Sequence, residues 1–89
     1  MKDWDLLRFL LAIHRYGGLS GAARVLRVTH ATVSRKLDRA EEELGAKLFV
    51  RLQSGLTPTE AGTAVVARAE AVEAEIIALS MGLQTEEEG

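Results

Sequence analysis

Apolar residues recur at steps of three and four near the start of the chain: Leu6, Phe9, Leu10 and Ile13, with Trp4 close to the same face. That period marks one buried face of an amphipathic helix, predicted over about Asp3 to Tyr16. Asp3 suits the N-cap, and Gly17-Gly18 stops the helix. Ser20 is expected to cap a short second helix over 21–27, where Ala22 and Ala23 are small enough for close helix contact. Thr29 is expected to cap a third, from His30 to about Leu44, with Gly45 just past its end. On a helical wheel, Val33, Leu37, Ala40 and Leu44 form the buried stripe of this helix. Ala31, Arg35, Asp38, Arg39 and Glu42 lie opposite, flanked by Thr32 and Ser34.

The pattern changes over residues 47–57, where branched and aromatic residues precede the turn signal Ser54-Gly55. A two-stranded ribbon of this size is unstable alone, so Leu48 and Phe49 are assigned to the core. Pro58 is expected to break the second strand, and Thr59-Glu60 to start a last helix. There Val65, Ala69, Val72, Ile76, Leu79 and Leu83 alternate steps of four and three, a heptad seam widened by Val66 and Ile77. Gly62 leaves room for close approach. The seam can pack on the first helix or on a second copy, and its width allows both. Its surplus apolar surface predicts a homodimer through the 59–83 helix. The predicted fold is mainly α: a winged helix-turn-helix over 1–58, with a three-helix core and a small two-stranded wing. A linker or dimerisation helix with an acidic tail follows over 59–89.

Composition narrows the function. Eighty-nine residues make one domain without space for a second, sensory module. The absence of cysteine rules out disulfides and thiolate metal sites. No apolar run approaches the ~20 residues that cross a bilayer, and no secretory signal opens the chain, so a cytoplasmic protein is expected. The net charge of −2 hides an asymmetry: residues 1–57 carry +4 and residues 58–89 carry −6. Within the third helix, Arg35, Lys36 and Arg39 precede Glu41, Glu42 and Glu43, the reverse of what the helix macrodipole favours. The inversion suggests an external anion at the N-terminal part, with nucleic-acid phosphate the most plausible one.

The exposed front of the third helix suits a DNA groove. Arg35 can bond guanine in bidentate fashion, Thr32 and Ser34 can bond bases or phosphate, and Ala31 can touch a thymine methyl. His30 at this edge fits a base or phosphate contact, or simply an exposed histidine. Arg51 on the ribbon fits a backbone phosphate or an intramolecular ion pair. Two isolated histidines, His14 and His30, and no clustered nucleophile or phosphate-gripping loop argue against an enzyme. Neither a metal, a cofactor nor a small-molecule effector has an evident site. A winged-helix protein–protein adaptor is the alternative, since one fold serves both tasks.

An ordered set of residues resembles the N-terminal DNA-binding domain of LysR-type transcriptional regulators. It comprises Leu6, Phe9, Gly17, Ala22-Ala23, Leu26, Val33-Ser34-Arg35, Leu37, Glu41, Leu44-Gly45, Leu48-Phe49, Arg51, Thr59 and Ala61-Gly62. The resemblance covers residues 6 to about 62, with a compatible helix beyond. It implies a third helix in the major groove, a wing along the backbone or minor groove, and paired linker helices on a roughly palindromic operator. The DNA face it implies is His30, Ala31, Thr32, Ser34 and Arg35, and the full set of expected DNA contacts adds Ser20, Thr29, Lys36, Arg39, Arg51 and Ser54.

Overall fold

The computed structural model describes residues 4–88, with side chains described as far as Gly82. Asp3 and the Leu83 side chain, both assigned roles above, lie outside the described residues. The element order is α1 (Trp4–Arg15), α2 (Leu19–Leu26), α3 (His30–Leu44), β1 (Phe49–Leu52), β2 (Gly55–Pro58) and α4 (Glu60–Glu88). This is the mainly helical, winged helix-turn-helix architecture that the apolar pattern predicts. Helix α1 is the hub: Leu6, Phe9, Leu10, Leu11, Ala12 and Ile13 are all buried, and α2, α3, α4 and β2 pack around it. Val33, Leu37 and Ala40 close the core from α3, and Leu48 and Phe49 from the start of the wing.

Helix α3 has the predicted bounds because both caps are chemically specified. The Thr29 hydroxyl accepts the Thr32 N–H at 3.1 Å, and Gly45 takes the left-handed conformation with φ 70°. Helix α2 departs from expectation. It starts at Leu19 with Gly18 at the N-cap, without a side-chain hydrogen bond, and ends at Leu26. Gly18 sits at φ 145°, ψ −169°, a conformation essentially reserved for glycine, so the backbone itself turns the chain there. Ser20 is therefore not the cap but an exposed residue of the first turn. Arg27 closes α2 in the left-handed region at φ 59°.

Three further expectations change. Leu44 is 38% exposed, because the stripe of α3 runs off the core in its last turn. The hairpin turns at Gln53-Ser54 rather than Ser54-Gly55, since Leu52 pairs with Gly55. Pro58 does not break β2; it ends it, opposite Phe49. A proline is tolerated there as the terminal residue of a two-stranded ribbon.

Side chains at both ends fasten the wing to the helices. Glu41 Oε2 accepts the backbone N–H groups of Leu48 at 2.7 Å and Phe49 at 3.5 Å, and Lys47 Nζ lies 3.6 Å from Glu41 Oε1. Thr59 Oγ1 accepts the Gly62 N–H at 2.9 Å, capping α4, and donates to the Lys47 carbonyl at 2.6 Å. The Thr59 N–H reaches the Leu48 carbonyl at 2.9 Å.

The first turns of α4 belong to the core. Val66 and Ala69 are buried and Val65 packs against them, so Ala69 of the predicted seam is covered by its own chain. Arg15 ties α4 to α1 by a two-pronged contact to Glu73 at 2.7 and 3.0 Å, with Glu70 at 3.7 Å. The hydrogen bond from Arg15 holds the Glu73 carboxyl below its ordinary value, and the same bond raises Arg15. Val72 beside that point, and Ile76, Ile77, Leu79 and Met81 beyond it, are exposed.

Candidate nucleic-acid interface

Two surfaces collect the residues that the sequence singles out. The first is the front of α3. Ala31 and Arg35 are exposed, Thr32 and Ser34 half-buried, and no acidic residue stands in the first turn. Arg39 is exposed on the same helix, with Nε 3.6 Å from Glu43 Oε1. Lys36 turns sideways and is half-buried, its Nζ 5.6 Å from the centre of the Phe9 ring. That placement combines a cation–π contact with burial of the lysine stem. The Thr29 hydroxyl is engaged in the cap of α3, 2.9 Å from the Thr32 hydroxyl.

The second surface is an open cleft of about 270 Å³ where the start of α2, the start of α3 and the wing converge. Ser20, His30 and Arg51, one from each element, line it together with Gln53 at the wing turn. Gly17-Gly18 forms part of its floor, which leaves backbone rather than side chains at that point. Ser54 is exposed at the wing turn beside Gln53 but does not line the cleft. Gln53 was missed by sequence reasoning. The displaced turn is the reason, because a hairpin centred on Ser54-Gly55 leaves Gln53 in a strand.

Among the described residues, Arg24, Arg27, Arg35, Lys36, Arg51 and Arg68 have no carboxylate within 4 Å, whereas Arg8, Arg39 and Lys47 have one and Arg15 two. Glu41 requires a correction to the charge argument. It reaches the wing amides, and Glu43 neighbours Arg39, so two of the three acids late in α3, Glu41 and Glu43, have partners within the chain. The inverted charge order of α3 is thus partly a structural arrangement. The first turn, without an acid, remains as the part open to an outside anion.

Comparison with known proteins places the chain. Residues 4–63 match the family described as "Bacterial regulatory helix-turn-helix protein, lysR family". The Mau operon transcriptional activator of Paracoccus denitrificans is 34% identical over 85 residues, covering 96% of this chain. The chain spans only 30% of that activator's length. The CbnR DBD solved in complex with DNA superposes with a TM-score of 0.79 at 25% identity, covering 94% of both chains. The BenM DBD solved with catB site 1 DNA gives 0.88 at 22% identity, covering 98% of both, a likeness of fold. Among the described residues no helix is long and apolar enough to cross a membrane. With the fold, the site and the matched residues 4–63 in agreement, the chain belongs to the lysR family of bacterial regulatory helix-turn-helix proteins.

Proposed function

We propose that this chain is the DNA-reading part of a cytoplasmic transcriptional regulator without enzymatic activity. It binds duplex DNA sequence-specifically with α3 in the major groove, while the cleft beside the wing receives the sugar-phosphate backbone. The observation that carries this reading is the exposed start of α3, with no acid in its first turn and with Arg35, one turn on, making no ion pair among the described residues. An arginine presented that way matches the paired acceptors of guanine. Phosphate lies within the reach of Ser20, His30 and Arg51 around the cleft.

The chain acts as a dimer on a roughly palindromic operator. Val72, Ile76 and Leu79 continue the heptad seam beyond the core and stay uncovered. They run on from an apolar groove of about 290 Å³ between Leu7, Leu44, Val65 and Val72. A second copy of α4 is the simplest cover, and a two-fold pair presents two reading helices to two half-sites. The adaptor alternative draws on the wing, where Val50 is 43% and Leu52 51% exposed.

A fluorescence anisotropy titration with duplexes selected from a random pool tests the reading. Affinity should fall steeply with salt, with a log–log slope of about −0.9 for each phosphate neutralised. Selection should return two half-sites related by inversion. Absence of duplex binding at low salt would reject DNA reading and leave the adaptor.

A further inference from the structure

The Thr32 hydroxyl sits between two partners. On one side is Thr29 Oγ1 at 2.9 Å, which is itself fixed by the Thr32 N–H at 3.1 Å. On the other, Arg35 Nη2 donates to Thr32 Oγ1 at 3.4 Å. Residues 29, 32 and 35 follow one another at three-residue steps, so they stack along one edge of the helix. Helical side chains lean toward the N-terminus, which brings the guanidinium back over Thr32. Among the described residues Arg35 makes no ion pair, with Asp38, the next acid along, or with any other carboxylate. A hydroxyl, not a carboxylate, therefore holds the arginine, and the full positive charge remains available to a ligand.

We propose that Thr32 is a positioning residue: anchored to the α3 cap through Thr29, its hydroxyl holds the Arg35 guanidinium in the orientation that reads a base pair. This rests on the DNA-binding reading above. A long, flexible arginine must be ordered when it meets a base, and a partner that orders it beforehand lowers that cost. When Thr32 donates its own proton to Thr29 Oγ1, its oxygen becomes a better acceptor for Arg35. The effect falls on discrimination between base pairs.

The test compares Thr32→Val, Thr32→Ser, Arg35→Ala and the double variant Thr32→Val/Arg35→Ala, each with the duplex selected by the wild-type chain and its single-base-pair variants. Thr32→Val keeps the shape and the backbone N–H of the cap while removing the hydroxyl. It should lower discrimination about three- to tenfold, the range of one hydrogen bond, at the same base pair that Arg35→Ala ceases to read. Thr32→Ser should retain discrimination, and the double variant should match Arg35→Ala alone. The circular-dichroism spectrum of Thr32→Val should match that of the wild type, which a general loss of structure would not allow. The proposal is overturned if Thr32→Val reads bases as well as wild type. It is equally overturned if its loss falls at a different base pair, or persists undiminished without Arg35, since Thr32 would then touch DNA itself. Failure of the wild-type chain to bind any duplex is a separate result, and removes the DNA-binding reading beneath it.

Discussion

At Gly62 the packing of α4 against the wing leaves no room for a side chain. A β-carbon there would run into the Leu48 carbonyl, the same oxygen that accepts the Thr59 N–H. Gly62→Ala must therefore push the helix and the wing apart. The expected loss is about 3 kcal/mol, measured as a lower urea midpoint. An unchanged midpoint would mean that the two backbones are not in contact. The sequence marked Gly62 as a place of close approach, and it also marked both caps of α3. Those residues were legible because their chemistry is local: Thr29 and Gly45 satisfy or terminate backbone groups within a few positions. Ser20 misled for the same reason. A serine before an apolar segment is a good local cap, but Gly18 turns the chain by conformation alone, and glycine carries no side-chain signal. Glu41 was legible only as a charge, since its partners at Leu48 and Phe49 lie across a loop.

Between elements, the contact of Arg15 with Glu73 and Glu70 holds α4 against α1. Its pH dependence has a definite sign. The folded pKa of Glu73 lies below its unfolded value, so the pair contributes stability above the unfolded value and loses it as pH falls through the folded one. Arg15, shifted upward, stays charged across that range. Both side chains are at least a third exposed, which screens the pair and keeps its contribution small. Thermal melts of wild type and Glu73→Gln should differ modestly at neutral pH and converge in acid. A gap that widened in acid would contradict the assignment. Nothing in the helical period hinted at this pair, because its members stand 58 residues apart. The period did locate the stripe of α3, yet not where the stripe leaves the core. Leu44 repeats on schedule but stays exposed at the edge of the core, where it lines the apolar groove with Leu7 of α1 and Val65 and Val72 of α4.

The whole molecule is elongated, 52 × 26 × 22 Å, with a radius of gyration of 14.7 Å against about 12 Å for a compact chain of this length. Helix α4 accounts for the difference. Its 29 residues span roughly 43 Å, and only the first turns are covered by the three-helix core. A charge on the uncovered stretch should block self-association without touching the fold. On the proposed pairing, Leu79→Glu, at a side chain 65% exposed, should sediment as a monomer at concentrations where wild type forms the proposed dimer. Its affinity for an operator with two half-sites should drop, while affinity for a single half-site stays the same. A dimeric Leu79→Glu would place the self-contact elsewhere.

Thr59 joins this long helix to the ribbon at one point: the same oxygen takes the Gly62 amide and gives its proton to Lys47. Loss of that one hydroxyl would therefore uncap the helix and release the Lys47 carbonyl in a single stroke, so neither side of the junction can be weakened by itself.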